Sequence, residues 1–203
     1  MKTPLPKLPA LGTAFLKPGD NAIHFYYSEA EQLRFASFLQ EGFDRGAGVI
    51  VAGVGEHHPL LSRGVRVPRL KRTRSLLRLQ VTADLHATVA TLAHAAGALL
   101  QRHREVRIAV DFDGLVSSEA IFENEAELSQ ALSGQRVIVV SQYDGHAFPA
   151  AITMEQFQTH AVTLVGNAFY SENRSGVAAE EYLRTRRRKA QVAAAATARS
   201  ASA

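Results

Sequence analysis

The run Arg136-Val137-Ile138-Val139-Val140 breaks abruptly into Ser141-Gln142-Tyr143-Asp144-Gly145-His146. A stretch this short, rich in Val and Ile and bounded by turn residues, reads as a strand buried on both faces. Such a strand needs helices above and below it, which points the chain to an α/β fold with a mainly parallel sheet. In open sheets of that kind, ligands bind in the crevice beyond the carboxyl ends of the strands. Ser141, Gln142, Tyr143, Asp144 and His146 fall there, either as a site or simply as residues that end a strand.

The pattern repeats along the chain. Ala22 to Tyr27 has strand composition, followed by Ser28 with Glu31 three residues on, a capping-box pair. The helix it opens carries Leu33, Phe35 or Ala36, Phe38, Leu39 and Phe43 at helical spacing and should stop near Gly46. Strands are expected at Val49 to Ala52, Leu76 to Val81 and Val106 to Val110. Long helices are expected from Thr82-Ala83-Asp84 to about Arg104, and from Ser117 or Ser118 to about Leu132. A short helix over Thr153 to His160 and two closing strands joined at Gly166-Asn167 complete the series. Residues 1–17 read as an irregular leader, 18–172 as the folded body, and 173–203 as a basic helical tail ending in disorder.

With 203 residues and 46% apolar side chains, one domain can build a full core. There is no Cys, which excludes disulfides, thiol nucleophiles and thiolate metal sites. Pro4, Pro6 and Pro9 break the basic N-terminus, and no apolar run reaches membrane-spanning length, so a soluble cytoplasmic protein without a membrane partner is expected. The net charge of +4 is local. Arg184, Arg186, Arg187, Arg188, Lys189 and Arg199 lie together without an acid, and the rest of the chain has fewer bases than its 19 acids. A second acid-free block runs from Arg63 to Arg78, and it suits an anion pocket or a partner surface.

Enzyme chemistry finds little support. A phosphate loop needs glycines and a Lys, whereas the first strand-to-helix joint reads Tyr26-Tyr27-Ser28-Glu29-Ala30-Glu31. Gly53-Val54-Gly55 follows a strand, but Pro59 interrupts the helix start it would need. Asp111 and Asp113 resemble the acidic end of a nucleotide-hydrolysing strand, with Glu119, Glu123 or Glu125 as further oxygen ligands. The plainer reading has these aspartates capping the next helix, with Glu125 and Glu127 solvated. No paired-histidine metal spacing and no serine nucleophile elbow occurs. Neither a catalytic residue, a metal nor a cofactor is expected. The Arg184 to Lys189 segment lacks aromatic interleaving and a helix-turn-helix, so a solvated helix end is favoured over nucleic-acid binding.

Taken in order, several segments resemble the MEDS domain, a sensory domain of methanogens and methylotrophs. They are Pro18 to Tyr26, Phe38-Leu39-Gln40-Glu41-Gly42-Phe43, Gly48-Val49-Ile50-Val51, Glu125-Ala126-Glu127-Leu128-Ser129, Ser141-Gln142-Tyr143-Asp144, His160 and Gly166-Asn167-Ala168-Phe169-Tyr170. The resemblance spans about residues 18–172. It implies a RecA/KaiC-like core, the fold of recombinase and circadian-clock ATPases, without a functional phosphate loop. It also implies a non-catalytic signalling or transcription-regulating role. Carried over by position, the family's Glu falls on Glu125, its Tyr-Asp on Tyr143 and Asp144, and its later His on His160. Three positions depart from the family pattern: its early His falls on Asn21, its Cys on Ser141 and its Pro on Ala168.

The expectation is therefore a module binding a small molecule or a signalling protein at the carboxyl edge of the sheet, through Asn21, Tyr26, Glu125, Tyr143, Asp144 and His160. Asp144 would accept hydrogen bonds, Tyr143 would supply an aromatic wall with a polar tip, and His160 would couple occupancy to charge near neutral pH. The competing classes are a nucleotide-binding enzyme descended from such an ATPase, using Asp111 and Asp113, and a nucleic-acid-binding regulator using the basic tail. Oligomeric state is not fixed by the sequence.

Overall fold

The computed structural model describes residues 16–55, 59, 75–112, 114–117, 120–148, 160, 162–166 and 169–172, with positions 181, 184, 185, 188 and 191 of the tail. Residues 153–159 of the proposed short helix, Asp113, Glu119, Asn167 and most of the 63–78 basic block lie outside these residues.

Strands β1 (Asn21–Tyr26), β2 (Gly48–Gly53), β3 (Leu76–Gln80), β4 (Val106–Asp111), β5 (Val137–Asp144), β6 (Val162–Val165) and β7 (Phe169–Glu172) form one sheet in the order β3-β2-β4-β5-β1-β6-β7. Every pairing is parallel except β6 with β7, so the expected mainly parallel α/β architecture is the observed one. The centre of the sheet is β5 between β4 and β1, with Ile23 opposite Ser141 and Phe25 opposite Tyr143. From β1 the chain leaves for β2 on one side, and from β5 it leaves for β6 on the other, the arrangement that opens a crevice at the strand ends.

Alternation along the strands separates two cores. On one face α3 (Leu85–Leu100) and α4 (Ile121–Ala131) pack side by side. There Leu92, Ala96, Leu99, Ile121 and Leu128 meet Ile23, Ile50, Ile108 and Val139. On the other face α2 (Phe35–Asp44) lays Phe35, Phe38, Leu39 and Phe43 on Val49, Val51 and Ala109. Asp84 caps α3 by accepting from the Ala87 N–H at 2.9 Å, and Gly46 ends the α2 region at φ +83, which glycine adopts without penalty.

Three expectations need correction. The helix from Ser28 to Gly46 is two helices, α1 (Glu29–Gln32) and α2, separated at Leu33 and Arg34. Tight bonds from Arg34 to Glu31 and from Ala36 to Leu33 make the break, and it lets Gln32 and Phe35 both turn inward. Next, β5 does not end at Val140. Flanked by β4 and β1, it continues through Ser141, Gln142 and Tyr143, all buried, so these residues lie within the strand rather than beyond it. Finally, α4 begins at Ile121, after a turn in which the Ser117 hydroxyl accepts from the Ala120 N–H.

Arg107 is a charged residue inside the second core, 4% exposed. Its guanidinium lies 4.8 Å over the Phe38 ring, donates to the Phe38 carbonyl at 2.8 Å and pairs with Glu105 at 2.7 Å. Gly42 leaves room for it: a Cβ there would fall 2.7 Å from Arg107 Nε. A Cβ on Gly97, in α3, would meet nothing within 4 Å. The same change should therefore act with opposite signs at the two sites. Gly97→Ala raises stability by about 0.5–1 kcal/mol through helix propensity. Gly42→Ala loses on the order of 1 kcal/mol net, because overpacking outweighs that gain. Urea denaturation measures both; a stabilised Gly42→Ala would mean that Arg107 is not held as described.

Candidate functional site

Consecutive residues of β5 point to opposite faces, and each carries a buried polar network. Tyr143 faces α4. In that helix Ile121, Leu128 and the following Leu132 recur at helical spacing and face the sheet, and Glu125 falls on the same stripe. Glu125 is 2% exposed, so the expectation of a solvated carboxylate is wrong: its helical phase buries it. It survives there because it is well supplied with donors. The Tyr143 hydroxyl donates to Glu125 Oε1, and Asn124 Nδ2 donates to the Tyr143 oxygen at 3.2 Å. Asn21 Nδ2 reaches Glu125 Oε2 at 3.3 Å and also bonds Ser129 Oγ. His160 Nε2 reaches the same carboxylate oxygen at 3.1 Å, an ion pair whenever the imidazole is protonated. Burial, reinforced by the Glu125 charge, pushes the Tyr143 phenol well above its ordinary pKa, so it stays a donor. Its ring stacks on Phe112 at 5.6 Å and meets Phe148 edge-on.

Gln142 faces the other way. Its Nε2 donates to His24 Nδ1 at 3.1 Å and to the Gln32 carbonyl at 3.1 Å. Accepting at Nδ1 leaves the His24 Nε2–H for the Gly166 backbone, and burial depresses the imidazole pKa to about 3. Beside it a void of about 10 Å³, lined by His24, Arg34, Phe35, Leu164 and Gly166, has room for roughly one water. Asp111, fully buried at the end of β4, accepts from Tyr26 Oη at 3.3 Å and from Gln32 Nε2.

The first strand-to-helix joint is closed in the same manner. Ser28 Oγ accepts from the Glu31 N–H at 3.3 Å, as the capping pair implies. Glu31 Oε2 accepts from the Tyr27 N–H at 2.7 Å, one residue earlier than in a standard capping box. At the carboxyl edge, Asp144 accepts from the His146 N–H at 2.9 Å, and the His146 ring stands edge-on to the half-exposed Tyr27 ring at 5.2 Å.

The six expected residues thus separate. Asn21, Glu125, Tyr143 and His160 meet under α4, midway along the sheet rather than at its carboxyl edge. Tyr26 belongs to the Asp111 network on the opposite face, and Asp144 is engaged in the turn after β5. Asn124 was not singled out in the sequence, although its place on the Ile121–Leu128 stripe is the signal that marks it as buried. Gln32 was missed too, and no local pattern identifies its partner Asp111, 79 residues away. Among the described residues no group of three or more His, Asp and Glu is arranged to hold a metal. Nor is any described helix long and apolar enough to cross a membrane.

The family model described as the methanogen/methylotroph, DcmR sensory domain, MEDS, matches residues 22–161. No curated protein matches the chain.

Two consequences can be measured. Tyr143→Phe removes the hydroxyl between Glu125 and Asn124 while keeping the ring, and should cost about 1–3 kcal/mol of stability in chemical denaturation. For His24, the unfolded imidazole (ordinary pKa 6.5) binds a proton that the folded one refuses until about pH 3. Between those values unfolding takes up a proton, so stability falls as pH drops, by up to about 1.4 kcal/mol per pH unit. Above 6.5 this contribution vanishes. His24→Gln should flatten the stability–pH curve between them by that amount; an unchanged slope would show that His24 is protonated in the folded state.

Proposed function

The chain belongs to the MEDS family, and from that premise we propose that it is a non-catalytic sensory module whose responsive centre is the Glu125 network. The observation that carries this reading is the convergence of Tyr143, Asn21 and His160 on one buried carboxylate. They come from β5, β1 and the approach to β6, so a ligand or signalling partner that changes any of these bonds alters how α4 is held on the sheet. Unpaired buried oxygens on Asn21 and Asn124 leave the network with acceptors to offer.

The core is read as a recombinase-like domain that has lost its phosphate loop. The parallel strand order agrees with that descent at a coarse level. Where a phosphate would bind, the Tyr27 and Glu31 N–H groups are occupied by the chain's own Glu31 carboxylate and Ser28 hydroxyl. The aspartate that would face a nucleotide's metal is held by Tyr26 and Gln32. Both observations weigh against the nucleotide-hydrolysing alternative.

Native mass spectrometry of the full chain, purified from its own cells, tests the proposal. A retained small molecule or partner is expected with the wild type and is lost from Glu125→Gln and His160→Ala. Saturable magnesium-dependent ATP binding in calorimetry, abolished by Asp111→Asn, would overturn it in favour of the enzyme.

A further inference from the structure

The central parallel strands all begin at one edge of the sheet, and the residues that lead into them are rich in cations. Lys17 precedes β1, Arg45 precedes β2, Arg102 and Arg104 precede β4, and Arg136 precedes β5; all five are exposed. Backbone bonds set their order in space. The Lys17-Pro18-Gly19 turn is tied to β5 by the Gly19 N–H, which donates to the Val137 carbonyl at 2.8 Å. The Arg136 carbonyl accepts at 3.0 Å from Val106, two residues past Arg104. The Glu105 carbonyl accepts from the Gly48 N–H at 2.9 Å, and His103 Nδ1 donates to the Gly46 carbonyl, beside Arg45, at 2.8 Å. Cations scattered from position 17 to position 136 thus form one row across β1, β5, β4 and β2. The row covers three strand spacings, about 14 Å.

The acids of this edge are engaged within the chain. Asp20 accepts from the Lys17 N–H at 2.7 Å, and Asp44 accepts from Gln40 at 2.9 Å. Glu105 pairs with Arg107 and Glu41 with Arg45, each at 2.7 Å. Lys17, Arg102, Arg104 and Arg136 make no ion pair among the described residues. A cation past the end of a helix often does no more than offset the negative end of its dipole. That role accounts for Arg45 and Arg102, which follow α2 and α3. It does not account for Arg104, Arg136 and Lys17, none of which adjoins a described helix end. Like charges held side by side repel, and an anionic partner relieves that repulsion.

The rest of the edge narrows the kind of anion. The large hydrophobics exposed among the described residues are Tyr27 and Val54, and both follow the carboxyl ends of strands. Protein interfaces centre on apolar or aromatic anchors, and amphipathic membrane contacts need an apolar face. Stacking on unpaired bases needs aromatic side chains. A duplex held by its phosphates needs none of these. Three of the four uncommitted cations are arginines, whose planar fork takes a phosphate with two hydrogen bonds. One strand of duplex DNA presents a phosphate about every 3.4 Å along the axis, so the row faces about four of them. We infer that the amino edge of the sheet is a sequence-independent docking surface for the phosphate backbone of double-stranded DNA. Lys17, Arg102, Arg104 and Arg136 make the contacts. This surface is separate from the basic tail, and the binding does not rest on the sensory reading above.

The test is fluorescence anisotropy of labelled duplexes of about 20 base pairs, titrated with the full chain over a range of salt concentrations. To isolate the edge, Arg184, Arg186, Arg187, Arg188 and Lys189 are all changed to Gln in a parallel chain. Both chains should bind two unrelated sequences alike. In the chain with the neutral tail, log affinity should fall against log salt with a slope of about −3.6, the value for four phosphate contacts. Arg104→Gln combined with Arg136→Gln, both exposed and clear of the core, should reduce that slope by about 2 and weaken binding at least tenfold at low salt. Absence of duplex binding, binding lost entirely with the tail charges, or an unaffected Arg104→Gln/Arg136→Gln chain would overturn the proposal. Equally tight binding to phosphatidylserine vesicles through the same two arginines would overturn it in favour of a lipid surface.

Discussion

A carboxylate out of reach of water is tolerable only where the protein replaces the hydrogen bonds that water gave it, and Glu125 is such a group. Its donors come from β5, β1 and His160, two residues before β6, while the carboxylate itself rides on α4. The position of that helix on the sheet is consequently fixed by charge-assisted bonds as well as by the packing of Ile121 and Leu128. Packing alone would let the helix slide on a smooth Val-rich surface; three polar partners specify one register. Asn124 and Ser129, on adjacent positions of the same helix, extend the network toward the Phe112 side and toward the amino edge.

At the carboxyl edge, where such a sheet would receive a nucleotide, the first strand-to-helix joint and the strand-end Asp111 are bonded within the chain. Glu31 places its own carboxylate on the Tyr27 amide, and Tyr26 and Gln32 converge on Asp111. These are the interactions a phosphate and its metal would otherwise make with backbone amides and a strand-end acid. In this chain its own side chains make them, and Glu29 and Glu31 add negative charge at the joint. The result is a structural joint, with α1 latched to the end of β4.

How much of this was legible in the sequence follows from the range of the interactions. The short β-branched runs at 49–52, 106–110 and 136–140 announced a doubly covered parallel sheet, and strands stand there. Local chemistry was legible too: Ser28 with Glu31, Asp84 at the start of α3 and Gly46 at the end of α2 act as their residue types dictate. The length of β5 was not legible. Ser141, Gln142 and Tyr143 look like loop residues until β4 and β1 flank them and each finds a buried partner or packing surface. Family resemblance brought Asn21, Glu125, Tyr143 and His160 into one set, which spacing along the chain does not do, since Asn21 and Glu125 are 104 residues apart. It also carried Asp144 into that set, and alternation along the strands sends Tyr26, expected beside them, to the other face. Glu125 itself was readable after all. Its phase with Ile121, Leu128 and Leu132 outweighs the hydrophilic composition of the helix around it.

The placement of Gln142 next to Tyr143 has a mechanical meaning. One residue grips His24 and the backbone of α1 beneath the sheet, while its neighbour grips Glu125 above it. A strand is stiff along its length, so the two grips share a single coordinate. β5 behaves as a toothed rack meshed on both sides: displacing it far enough to disengage α4 also withdraws the tooth from α1. A shift of β5 along its own axis would therefore act on the contacts of both faces at once.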